Sequence, residues 1–152
     1  MTTQIYRYQP VVTAGPNGTD YRPRGPEGFA ASETLTELAE LDGWRYVAVP
    51  AGAVPDVPEA LATWEAVTLT PELRESIKLA SPHTQLIAQR VIDRIRAKYP
   101  LDEELYFSRI AVGALQGSYT LLEGEADALA QYQADVEAAR EWGRQARAEL
   151  GL

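Results

Sequence analysis

All ten prolines of this 152-residue chain lie at or before Pro100, and seven fall within the first 58 residues. Proline fixes φ and removes a backbone donor, so it breaks helix interiors and is confined to the edges of sheets. The first part of the chain must therefore be built of turns and short extended pieces, while residues 101–152 are free to be helical. The expected class is α+β: a small antiparallel N-terminal sheet followed by about four helices. The division predicts a β-rich unit over 1–69 and a helical unit over 70–152.

The sharpest local signal is "LTELAELDGWRYVAVP". Asp42-Gly43 is a favoured type I′ pair, because both positions of that turn need positive φ. A two-residue turn sets Leu41 opposite Trp44, Glu40 opposite Arg45, Ala39 opposite Tyr46 and Leu38 opposite Val47, pairs that contribute roughly 0.2–1 kcal/mol each. Leu35, Leu38 and Leu41 also share a helical spacing after Ser32, but the strand-like run from Trp44 to Val49 favours the hairpin. A first strand is expected over 5–13, with Pro10 implying an edge position. Residues 14–28, rich in glycine and proline, read as an exposed loop. "TWEAVTLT" gives one more short strand.

Thr70-Pro71 starts a helix, with threonine capping and proline at a position where its missing N–H costs nothing. Ser81-Pro82 reads as a second use of that device, giving helices over 71–80 and 82–99. Ile87, Val91 and Ile95 form the buried stripe of the second. Asp102, Glu103 and Glu104 open a third helix, where carboxylates complement the positive dipole end, and Gly117 closes it. A last helix over about 125–150 carries a core line through Leu129, Tyr132, Val136, Ala139, Gly143 and Ala146, with Gly151 as its stop.

Composition removes several function classes. Net charge is −8, and neither half is basic: residues 1–70 hold 4 basic and 9 acidic side chains, residues 71–152 hold 10 and 13. Affinity for nucleic acid comes from neutralising phosphates, so neither a nucleic-acid partner nor adhesion to an anionic membrane is expected. There is no apolar run near membrane-spanning length and no hydrophobic signal region at "MTTQIYRYQP", which implies intracellular synthesis without export. With no cysteine and His83 as the single histidine, disulfides, thiolate catalysis and cysteine-ligated metals are excluded. No catalytic, cofactor or metal residues are expected, and the chain does not read as an enzyme.

The stretch "RIRAKYPLDEELYFSRI" is the densest in charge. Arg90, Arg94 and Lys98 make a basic ridge, but Asp102, Glu103 and Glu104 diverge by about 100° each on a helix and cannot converge on a reacting atom. The stretch reads as the solvated side of two helices. His83, in a first helical turn, lacks an evident nucleophile and orienting acid. Glycines 15, 18, 25 and 28 lack the Lys-Ser/Thr of a phosphate loop. Arg140, Arg144 and Arg147 suit a helix C-terminus. Aromatics concentrate in the β part, where packing is the first reading and a protein-binding face the second. Trp44, Tyr46 and Trp64 are the leading partner-binding candidates.

"ELAELDGWRYVAVPAG", "VTLTPELRESIKLASPHTQLIAQRVIDRIRAKYPLDEEL" and "YQADVEAAREWGRQARAELGL" together resemble small proteins of tailed bacteriophages and prophages. These are encoded beside tail-fibre genes and described as tail-fibre assembly or tail proteins. The resemblance runs from about Glu37 onward and is best over 67–105 and 132–152; segment 113–125 departs from the shorter, more charged connection expected. It implies a chaperone-like factor that binds the fibre and aids its folding or attachment. An alternative is a component retained in the tail or baseplate; a weaker one is an enzyme acting on the host envelope. The implied partner is a tail-fibre or tail protein, with self-association left open, in the host cytoplasm during assembly or on the virion tail.

Overall fold

The computed structural model describes residues 3–25 and 35–152. Four strands, β1 (Gln4–Tyr8), β2 (Thr36–Leu41), β3 (Trp44–Val49) and β4 (Glu65–Ala66), form an antiparallel sheet in the order β2-β3-β1-β4. Four helices follow: α1 (Pro71–Ala80), α2 (Pro82–Arg96), α3 (Leu101–Leu115) and α4 (Glu125–Glu149). The chain is α+β, as expected. It divides into two compact units, the described residues up to Leu86 with Ala146–Leu152, and Ile87–Gln145. This division does not follow the expected one at 69/70, because α1 and the last residues of the chain pack with the sheet.

The hairpin turns at Asp42 (φ 51°) and Gly43 (φ 78°), both in the left-handed region that the type I′ turn demands. Leu41↔Trp44, Glu40↔Arg45 and Ala39↔Tyr46 pair as expected. The fourth pairing differs. A register shift between Glu37 and Ala39 sets Glu37, not Leu38, opposite Val47. The bulge frees Leu38 to enter the core, where it is fully buried beside Ala39, and leaves Glu37 on the charged face.

The first strand is also corrected. It ends at Tyr8 and lies inside the sheet, between β3 and β4. Pro10 falls beyond the paired residues, so its lack of a donor disturbs no ladder and forces no edge position. Alternate residues of β3 serve two cores. Tyr46 and Ala48 pack with Ile5, Leu38, Ile77 and Leu152 on one face; Val47 and Val49 pack with Tyr8 and Leu61 on the other.

Thr70 caps α1 as expected, accepting from the Leu73 N–H at 3.2 Å. Ser81 does not repeat the device. Its buried hydroxyl has no hydrogen-bond partner, and its backbone joins the helices instead, the N–H donating to Ile77 O at 2.8 Å and the carbonyl accepting from Gln85 at 3.2 Å. The Thr84 hydroxyl adds a bond to that carbonyl at 2.9 Å. Helix α2 ends at Arg96, three residues short of the expected Tyr99.

In the second unit, Tyr99 meets Phe107 and Tyr132 edge-on, and those two stack at 4.9 Å. Around this cluster Lys98 and Tyr99 both donate to Asp135, at 2.8 and 2.7 Å. These two donors, with Gln131, hold the Asp135 carboxyl down at about 2. Two residues of the basic ridge thus serve local pairing, Lys98 with Asp135 and Arg94 over the Trp142 ring at 4.1 Å, and Arg96 beside the ridge lies 3.6 Å from Glu104.

Helix α4 closes at Gly151 (φ 78°), after which Leu152 N–H returns to Arg147 O at 3.1 Å and the Leu152 side chain enters the sheet core. A Cβ at Gly151 would meet Ile5 Cδ1 at 3.1 Å and Thr3 O at 3.2 Å, whereas one at Gly43 would meet nothing within 4 Å. Both substitutions incur the left-handed penalty of roughly 1–2 kcal/mol. Gly151→Ala should therefore destabilise more than Gly43→Ala in urea unfolding; equal losses would show that the contacts at Gly151 yield freely.

Candidate protein-binding surface

The three aromatics singled out from sequence do not share one face. Tyr46 is 4% exposed and belongs to the core. Trp44 packs with that same core, while Trp64 packs with the opposite one. The reason is the period of two in β3: Trp44 and Tyr46 point together, away from Val47 and Val49.

Trp44 is half-buried beneath the Arg7 guanidinium, 4.2 Å from its ring centre. Arg7 is held from the other side by Glu65, with Nε donating at 2.7 Å. Glu65, Arg7 and Trp44 thus line up across β4, β1 and β3, so the ring is covered rather than offered. Trp64 differs. It stacks on Tyr6 at 4.8 Å with the planes 8° apart, and Tyr8 supports it at 6.0 Å. Trp64 and Tyr6 are both half-buried, which leaves an aromatic shelf on the sheet.

On the same face as the shelf lies a feature the sequence did not signal. Arg45 is nearly buried and gathers Asp20 at 2.7 Å and Glu40 at 2.9 Å; Arg22 joins Asp20 at 2.8 Å and Glu37 at 2.9 Å. Asp20 and Arg22 come from the segment read as an exposed loop. That segment is tied down by the bridges Val12↔Asp20 and Arg24↔Asp56; its residues 26–28 lie outside the described residues, as does Ser32. The two guanidiniums pull Asp20 below the usual carboxylate range, Arg45 most strongly. Its partners hold Arg45 firmly protonated against the cost of burial. An alternation of charge between residues 25 apart has no local signature, so only the Glu40–Arg45 pair was legible.

Beside the network a cleft of about 180 Å³ is lined by Tyr8, Arg22, Pro23, Leu35, Glu37 and Val47. Tyr8 and Val47 supply apolar surface, Arg22 and Glu37 opposite charges. The Tyr8 hydroxyl has no hydrogen-bond partner, and burial raises its pKa against the opposing pull of Arg45. Both sheet edges resist strand addition: β4 is two residues long, and β2 carries the bulge with Glu37 and Glu40.

The second unit has its own polar centre. Glu125, at the first position of α4, accepts from the hydroxyls of Tyr106 and Tyr119, the latter at 2.9 Å, and from Leu122 N–H at 2.7 Å. That shared carboxylate pushes Tyr106 up to about 12. A Cβ at Gly113 would lie 2.7 Å from that of Tyr119, so glycine lets the segment after α3 fold back. Segment 113–125 is thus a clamp at a helix start, beside a cavity of about 350 Å³ lined by Tyr106, Arg109, Ile110, Gly113, Ser118 and Tyr119.

The remaining sequence candidates lie apart. His83 is exposed in the first turn of α2. Arg144 pairs within its own helix with Glu137 and Glu141. Among the described residues no group of three or more His, Asp or Glu side chains could hold a metal ion, and no helix is long and apolar enough to cross a membrane. No protein-family model matches the chain, and neither does any curated protein or solved structure.

Because Asp20 titrates low in the folded chain, its charge stabilises above the unfolded carboxylate pKa of about 4 and that contribution fades as pH falls through the depressed value. The stability difference between the wild type and Asp20→Asn should hold from neutral pH to about 5 and shrink below about 4. A difference that persists unchanged to pH 2 would exclude charge as its source.

Proposed function

We propose that this chain is a non-enzymatic, protein-binding factor for bacteriophage tail-fibre assembly. The stacked, half-exposed Tyr6–Trp64 pair beside a cleft that carries the Arg22–Glu37 ion pair supports the protein-binding part. Large, rigid aromatics dominate interface energies when buried by a partner, commonly contributing more than about 2 kcal/mol on truncation, and a charged rim sets register. A four-stranded sheet holds both rings in place, which lowers the ordering cost of binding. The tail-fibre part rests on the resemblance of residues 37–152 to small phage proteins encoded beside fibre genes. Of the sequence candidates, Trp64 is therefore the leading anchor, Trp44 the second, and Tyr46 a residue of the core on Trp44's side of the sheet.

The second reading, a component retained in the tail or baseplate, shares this surface and differs only in whether the chain leaves the mature particle. Virions purified from an induced lysogen and probed for the chain separate the two.

Co-expression with the neighbouring fibre gene tests both. Trp64→Ala, checked for retained folding, should weaken capture of the fibre protein at least tenfold, and Trp44→Ala less. The triple Arg140/Arg144/Arg147→Ala and His83→Ala variants should bind as the wild type does. Loss of capture in the arginine variant with normal capture by Trp64→Ala would move the contact to α4.

A further inference from the structure

Helix α3 has two apolar faces, and the fold uses one. Phe107 and Ile110 point inward and are buried. Leu101, Leu105, Ser108, Val112 and Leu115 recur at spacings of 4, 3, 4 and 3, which confines them to a sector of about 80° on the opposite side. The four apolar members are 54%, 62%, 53% and 89% exposed. The other exposed large apolar residues form no such stripe: Val54 lies in a loop, Leu79 near the end of α1, and Leu86 and Ile92 on α2 are six residues apart and so about 120° around it. The 3.5-residue spacing is that of a coiled-coil seam, in which helices pack knobs into holes.

We infer that α3 pairs antiparallel with α3 of a second copy of this chain. The occupant is set by charge. The first turn of α3 carries Asp102, Glu103 and Glu104, and the one other residue of the helix charged at neutral pH is Arg109. Parallel pairing would crowd six carboxylates, and two positive dipole ends, at one end of the pair. Antiparallel pairing separates them and aligns the helix dipoles favourably. It also sets Leu101 against Val112 of the partner and Leu105 against the partner's small Ser108, a site where the helices can approach closely.

The flanks agree. Asp102 and Arg109 lie seven residues apart on the same side of the seam. In the antiparallel arrangement Asp102 of each copy faces Arg109 of the other, giving two equivalent ion pairs. Arg109 makes no ion pair within the chain among the described residues. The helix is about 22 Å long, so the pair belongs to the small, weak class of interfaces and forms in a concentration-dependent way.

The full chain, measured by sedimentation velocity across a concentration series, should pass from monomer to dimer. Leu105→Glu and Leu115→Glu, at exposed positions that the fold does not need, should each raise the dissociation constant at least tenfold with an unchanged circular dichroism spectrum. Arg109→Glu should weaken the dimer, and Asp102→Arg/Arg109→Glu should restore it. Since the chain has no cysteine, an oxidised mixture of Leu101→Cys and Val112→Cys chains should yield the mixed disulfide above either self-linked product. A chain monomeric at every concentration, which would leave the seam to a different protein, overturns the inference. So does a dimer indifferent to the glutamates, or self-linked Leu101→Cys as the main product.

Discussion

A sheet that is apolar on both faces must be covered on both, and that requirement organises the first unit. Strand β3, with the sequence WRYVAV, alternates between two cores rather than between core and solvent. One face takes Ile77 of α1 together with Leu150 and Leu152, brought back past Gly151 by the helix cap. The other takes Leu61, Val57 and Tyr21 from connecting segments. Residues more than 140 positions apart, such as Thr3 and Glu149 bonded at 2.6 Å, are neighbours for this reason. The chain's end belongs with its beginning because the sheet needs a lid.

The loop-covered face is where function is proposed. A segment of connecting chain cannot bury its backbone without partners, so the cover is pinned by paired bridges and by Asp20 and Arg22 to Arg45 and Glu37. A charged network beside an apolar stack results, with Trp64 and Tyr6 held at its side. The same logic explains why Trp44 is the lesser candidate: on the helix-covered face, the Arg7 guanidinium already occupies its ring.

In the second unit two carboxylates act as fastenings. Asp135 and Glu125 each collect two or more donors, and both titrate low as a consequence. Such carboxylates are poorly suited to accept a proton near neutral pH. What remains unused by the fold is apolar: the outer seam of α3, which gives that helix a second side to pack.

The sequence by itself determined the elements whose causes are local. Asp42-Gly43 dictated its turn, Thr70-Pro71 and the glycines at 117 and 151 marked helix ends, and the absence of proline beyond Pro100 permitted two long helices. It also contained the 4-3-4-3 seam of α3, a local pattern that overlaps the acids at 102–104. Tertiary structure alone decided which strand lies inside the sheet, because Pro10 restricts a strand only where it is paired. It decided that Leu38 bulges inward, since burying one more leucine outweighs one regular pairing. It joined Asp20 to Arg45, and placed Trp44 and Trp64 on opposite faces. These outcomes depend on side chains far apart in sequence competing for the same buried volume, and no local pattern encodes that competition.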